Sequence, residues 1–194
     1  MDWKIITKKQ VFKGFLSIDE YQLTHDLYAG GQSEIITRQL LERGHAVAVL
    51  LFDPQNDKLV LIEQFRIGAK DDATSAWLIE LVAGMMEEGE SALDVVVREC
   101  KEEAGVDIKN IRKIFSYYSS PGGCSEEIIL YYAEVDSSAA GGIHGLDVEH
   151  EDIKVIVMPY EEAMDYVQQG RINSATPLIA LQWLQQHHDE LIKT

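Results

Sequence analysis

The stretch from Gly84 to Val106 leaves this chain the fewest choices. Ser91 stands where a helix N-cap belongs, Asp94 follows three residues on as a capping-box partner, and Gly105 supplies a C-cap. Between them Leu93, Val96, Val97, Cys100 and Ala104 gather on one side at about 100° per residue, which predicts an amphipathic helix with that side in a core. Beside the stripe, Glu99, Glu102 and Glu103 lie three and four residues apart, so like charges crowd adjacent positions. Such pairs cost an isolated helix roughly 0.2–0.5 kcal/mol each, and about 3 kcal/mol at ~6 Å where the effective dielectric falls to ~20. Arg98 can pair with Glu102, which leaves Glu99 and Glu103 as a carboxylate pair suited to a hard divalent cation such as Mg²⁺. A solvated acidic face is the plain alternative.

Around this helix the chain reads as strands. Residues 3–42 mix short β-type runs (WKIIT, FLSIDEYQL, SEIITRQLL) punctuated by Gly30 and Gly31, the pattern of an extended sheet layer. The apolar run from His45 to Phe52 predicts a buried strand, Asp53 to Asp57 a turn, and Leu59 to Gln64 the returning arm of a hairpin. Trp77 to Val82, Lys113 to Tyr118, Glu127 to Val135 and Ile153 to Met158 are further predicted strands, and Tyr160 to Gln169 and Pro177 to Leu191 predicted helices. The connection from Asp136 to Asp152 is too long for a simple link and marks a functional loop.

Composition narrows the partners. With 33 Asp and Glu against 17 Lys and Arg the formal charge is −16, which works against nucleic acid and anionic membranes, and a phosphorylated substrate would need a metal to bridge the repulsion. The opening MDWKIITKKQ has no apolar run that would serve as a signal peptide, and Ala46 to Phe52 is far below membrane-spanning length, so the expectation is a cytoplasmic protein. Cys100 and Cys124 suggest neither a disulfide framework nor zinc.

Gly84, Glu90, Arg98, Glu99, Glu102, Glu103 and Gly105, with Cys100 and Val106 at the two bulky apolar places, reproduce the spacing G-x5-E-x7-R-E-U-x-E-E-x-G-U. This resembles the Nudix box, and seven fixed letters match by chance on the order of 10⁻⁸ per start position. Cys100 departs slightly from the aliphatic residue usual at its place, and its position on the core stripe suggests packing. Beyond the box, WLIELVAGMMEEGES, VLIEQFRIGA, ERGHA, SPGG and IALQWLQQHH are similar to bacterial ADP-ribose pyrophosphatases, and Pro121 follows Val106 by fifteen residues, as in the ADP-ribose branch.

The resemblance implies an α/β Nudix fold, a mixed sheet sandwiched between helices, with residues 1–41 as a β-rich dimerisation segment and 42–194 as the Nudix hydrolase domain. It implies a homodimer with N-terminal exchange that hydrolyses ADP-ribose to AMP and ribose 5-phosphate. Mg²⁺ would be the cofactor, with Mn²⁺ a possible substitute and more than one ion per site. Glu99, Glu103, Glu151 and the Ala83 carbonyl would ligate metal, Glu149 would take the proton from the attacking water, and Glu102 would sit close to the metals. Glu90 and Arg98 would support the loop and orient the acids. Arg38 and Arg66 match substrate-contacting arginines, whose guanidinium groups can fork onto phosphate or stack on adenine. Phe15 would pack on the adenine from the partner subunit. Ser120, Gly122 and Glu126 would meet the terminal ribose, and Met85 and Arg43 are further substrate contacts. Each loop acid could instead be a solvated side chain, and each arginine an unrelated surface residue.

Other features carry no chemistry. Asp53, Gln55 and Asp57 resemble the start of a calcium loop, but Lys58 stands where Gly is needed and Gln64 where the bidentate Glu belongs, so the segment is a turn. His187 and His188 suit a polar helix face better than a ligand pair. Three rivals remain open: a pyrophosphatase for GDP-mannose or ADP-glucose, a Nudix-fold sensor that binds ADP-ribose without cleaving it, and an acidic scaffold for basic partners. The intact glutamate set counts against the sensor, and the scaffold leaves the spacing unexplained.

Overall fold

A computed structural model describes residues 1–193 except 147 and 149. The chain forms two compact units: residues 1–45 with 118–128, and residues 46–117 with 129–194. In the first, strands β1 (Trp3–Lys13), β2 (Ser17–His25) and β3 (Ile36–Glu42) form an antiparallel sheet in that order. The ladder between β1 and β2 carries irregularities at Ile5/Thr7 and Gln10/Phe12. All eleven residues of β1 are exposed, although Trp3, Ile5, Ile6, Val11 and Phe12 are apolar.

The second unit is built on β4 (Ala46–Asp53), all eight of whose residues are buried, as its apolar run predicts. Both faces of this strand are covered. Val47, Val49 and Leu51 share a core with Val95, Val96, Cys100 and Ala104 of helix α1 (Ala92–Ala104). On the other side Phe52 meets His188 of helix α3 (Ala175–Leu191) edge to face. The order across the eight-stranded sheet is β10 (Ile143–His144), β11 (Ile153–Pro159), β5 (Lys58–Phe65), β4, β9 (Glu127–Val135), β8 (Ile108–Tyr118). Helix α2 (Tyr160–Gln168) follows β11 directly.

One predicted strand is two. The run from Trp77 to Val82 divides into β6 (Trp77–Glu80), paired with β5, and β7 (Val82–Met85), paired with β4. The β4–β5 hairpin pairs only from Leu51/Val60 to Asp53/Lys58, and beyond that each arm takes a different half of the next segment. This crossing brings Ala83 and Gly84 opposite Ala48 and Val47, beside α1. The turn is an Asx structure as expected: Asp53 Oδ1 accepts the N–H groups of Gln55 and Asn56, both at 3.1 Å.

Candidate active site

Helix α1 begins as predicted. Ser91 Oγ accepts the Asp94 N–H at 3.2 Å, and the chain leaves the helix through Gly105 at φ 66°. The buried face differs from the apolar stripe, however. Val95, Val96, Cys100, Glu103 and Ala104 are buried, whereas Leu93 and Val97 are exposed. The helix is rotated about its axis so that its acids turn toward the sheet, because β7 comes close enough to receive them. Gly84 explains the closeness: a Cβ there would lie 1.8 Å from Glu99 Oε1. The box requires glycine at this point because a carboxylate occupies the space of a side chain.

One buried acid and one half-buried acid result. Glu103 is 3% exposed and its Oε2 accepts the Ala83 N–H at 3.0 Å. Burial pushes its carboxyl up to about 8; the Ala83 N–H opposes this, Glu99 and Glu151 add to it, and Arg66 opposes it. Burial also lifts Glu99 to about 7, against the pull of Arg98 and with the push of Glu102 and Glu151. Arg98 does more than the single pairing predicted, since its guanidinium lies 2.8 Å from Glu99, 3.1 Å from Glu102 and 3.5 Å from Glu90. Glu90 in turn accepts the Glu87 N–H at 2.9 Å, which fixes the loop before the helix. Burial pushes the Cys100 thiol up to about 12, so it packs as an apolar side chain.

The long loop is tied to the end of this helix. Gly145 donates its N–H to the Glu102 carbonyl at 3.2 Å, and a Cβ on Gly145 would meet Glu151 Cβ at 2.7 Å. His144 lies against Gly105, where a Cβ would stand 2.5 Å from its ring. Glu151 Oε2 accepts the Leu146 N–H at 3.3 Å. Glu149, the expected base, lies outside the described residues. Among the described residues no three His, Cys, Asp or Glu side chains form a ready metal cage. Arg66, exposed at the end of β5, donates from Nε to Glu80 Oε2 at 2.6 Å, and Met85 is the last residue of β7.

The remaining expected contacts belong to the first unit. Phe15 is fully exposed between β1 and β2, and Arg38 lies exposed on β3. Ser120 and Gly122 sit in a turn in which the Gly123 and Cys124 N–H groups bond to the Ser120 carbonyl at 3.0 and 2.9 Å. Glu126 is buried, with Arg43 Nε 3.4 Å from its Oε1. Sequence reasoning missed Glu80 and Glu42. The first was legible only through the register that sets β6 beside β5, and nothing local to residue 42 marks the second. It also missed that His187 and His188 are stacked, on Trp183 at 4.4 Å and Tyr160 at 3.8 Å between ring centres.

Comparison with known proteins bears on the whole chain. The NUDIX domain family matches residues 42–179. The chain is 48% identical over 190 residues to an ADP-ribose pyrophosphatase of Escherichia coli K12, covering 98% of this chain and 91% of that one. It is 45% identical over 193 residues to an ADP-ribose pyrophosphatase of Haemophilus influenzae, covering 98% and 89%. A GDP-mannose pyrophosphatase of Cronobacter sakazakii is 37% identical over 149 residues, covering 76% and 77%. The crystal structure of an ADP compounds hydrolase shares the fold, with a TM-score of 0.71 over 96% of both chains at 20% identity. A carboxylate pair packed from a capped helix onto β7, a glycine hollowed out to receive it and a family match that spans the motif have one reading: the chain belongs to the Nudix family, beside its ADP-ribose pyrophosphatases.

Proposed function

We propose that this protein is an ADP-ribose pyrophosphatase, adding water across the diphosphate of ADP-ribose to release AMP and ribose 5-phosphate. The observation that carries the reading is the Glu99/Glu103 pair, packed against Ala83 and Gly84 in a chain 48% identical to a named ADP-ribose pyrophosphatase. The donor set fits a hard divalent cation, which we take to be Mg²⁺ with Mn²⁺ as a substitute: the carboxylates of Glu99 and Glu103, raised chiefly by burial and further by Glu151, the carboxylate of Glu151 itself, and the Ala83 carbonyl as a neutral fourth donor. Bound there, such ions, more than one per site, would offset the diphosphate charge and make water more acidic. Glu149 accepts the proton of the attacking water, since a loop acid left out of the ligand set keeps its basicity. Glu102 stays close to the ligands, and Arg98 and Glu90 hold the helix acids in place. Arg66 supplies a guanidinium to the diphosphate, Met85 at the end of β7 is a further substrate contact, and Arg38 and Phe15 receive the adenine. Arg43, Ser120, Gly122 and Glu126 receive the terminal ribose. The protein works as a homodimer whose N-terminal layer, residues 1–41, serves the partner's site, while residues 42–194 form the hydrolase. It works in the cytoplasm without nucleic acid or membrane, and no described helix is long and apolar enough to cross a membrane.

A panel of nucleoside diphosphate sugars, assayed with Mg²⁺ and with excess chelator, tests this. ADP-ribose is expected to give the highest kcat/KM, with AMP and ribose 5-phosphate as products and no turnover in chelator. Preference for GDP-mannose, or full rate in chelator, overturns it.

A further inference from the structure

Inside the first unit a polar network links the sheet to the loop that carries Ser120, Gly122 and Glu126. Two backbone bonds begin the link: the Leu41 N–H donates to the Gly123 carbonyl at 2.9 Å, and the Ser125 N–H to the Leu41 carbonyl at 3.1 Å. Side chains complete it. Glu42 Oε1 accepts from the Tyr21 hydroxyl at 2.5 Å, and Glu42 Oε2 from the Ser125 hydroxyl at 2.6 Å. Lys8 lies 2.8 Å from Asp19 and 3.9 Å from Glu42, so the half-buried carboxylate has a cation within reach. The Ser125 and Tyr21 hydrogen bonds hold Glu42 below the usual carboxylate range.

The next residue along each segment forms a second link, Arg43 to Glu126 at 3.4 Å. This contact is long for a hydrogen bond, so the Glu126 carboxylate keeps accepting capacity for hydroxyl groups. By contrast both Glu42 oxygens are already taken up within the protein. The division of labour follows from this: Glu126, beside its pairing with Arg43, keeps room for a ligand hydroxyl, and Glu42, next to it across the Leu41–Cys124 bridge, decides where that acid stands. Backbone bonds at Leu41 fix the loop's height along β3, and a charge-assisted bond beyond them fixes its angle.

We propose that Glu42 is a positioning residue that acts through Ser125 to set the loop 118–126 for the distal sugar of a nucleoside diphosphate substrate. This rests on the reading of the protein as an ADP-ribose pyrophosphatase. Glu42 touches no substrate; its effect is selective for the end of the substrate that the loop receives. Arg38, on the same strand, is held by the backbone ladder between β2 and β3, and its side chain donates to the Thr37 carbonyl at 2.8 Å, so the adenine end is spared.

The test compares Glu42→Gln, which removes the charge at nearly constant shape, with Ser125→Ala and the double variant. Each single change is expected to raise KM for ADP-ribose and Ki for ribose 5-phosphate about tenfold. Ki for AMP should stay within about twofold, and the double variant should be no worse than the poorer single one. Equal weakening of AMP and ribose 5-phosphate would mean a merely structural role and overturns the proposal. So does an unchanged Ki for ribose 5-phosphate in both single variants, where the wild type turns over ADP-ribose. A wild type silent on ADP-ribose overturns the functional reading and this role with it.

Discussion

The surroundings of Glu103 disfavour the charged form of its carboxyl. Burial and the nearby Glu99 and Glu151 lift its carboxyl to about 8, against the single-bond help of the Ala83 N–H. A raised acid stabilises the fold below its unfolded value near 4.5, and that contribution is lost as pH climbs toward 8. Metal-free protein should therefore be less stable at pH 9 than at pH 6. Glu103→Gln keeps an acceptor for Ala83 without the charge, so urea denaturation in chelator at pH 9 should show a gain of about 2 kcal/mol. The same variant should lose roughly 10²–10³ in kcat with Mg²⁺ present, because a ligand charge is gone. Stability and activity moving together would contradict the assignment of this acid as a ligand. For the loop, Glu149→Gln should lower kcat by roughly 10²–10⁴ with Mg²⁺ titration unchanged, whereas Glu151→Gln should weaken both. Near-normal kcat in Glu149→Gln would move the base to Glu102 or another acid.

At the level of elements, what could be read locally was read. The α1 caps, the buried β4 strand and the Asx turn each depend on residues within a few positions of one another. What depended on distant partners could not be. The rotation of α1 that buries Glu103 and exposes Leu93 is set by β7, whose own existence depends on the splaying of the β4–β5 hairpin. Asp53 shows both cases. Its turn was evident from the sequence, but its Oδ2 also accepts the N–H and hydroxyl of Ser137 at 2.9 and 2.6 Å, across 84 residues. Burial raises this carboxyl, yet the bonds from Ser137 and Asn56 outweigh it and bring it to about 2. A depressed acid stabilises above its unfolded value and ceases to do so as pH falls through the folded one, here between about 4 and 2. Asp53→Ala should cost about 2–3 kcal/mol at pH 7, since five donors lose their acceptor, and should flatten the stability change between pH 4 and 2. Parallel urea midpoints for the wild type and variant across that range would rule out this anchor.

At the scale of the whole molecule, the unexplained quantity is the apolar surface of the first unit. Trp3, Phe12 and Phe15 are 66%, 54% and 104% exposed, while β1 buries none of its residues. A second copy of the chain would cover such a surface by two-fold symmetry, each protomer giving what it receives. If Phe15 serves the partner's site, two damaged proteins can repair one another. Phe15→Ala is intact in its own acids, and Glu103→Gln is intact in its own Phe15. In a mixed dimer one site then collects both lesions and the other collects neither. Random exchange makes half of all dimers mixed, so mixing two poorly active variants should restore about a quarter of wild-type activity per site. The recovery should appear only after subunit exchange, for instance by dilution and reconcentration, and sedimentation should report a dimer at assay concentration. Activity that stays at the average of the two parents would place Phe15 in the site of its own chain, and a fully active monomer would remove the partner from the mechanism altogether.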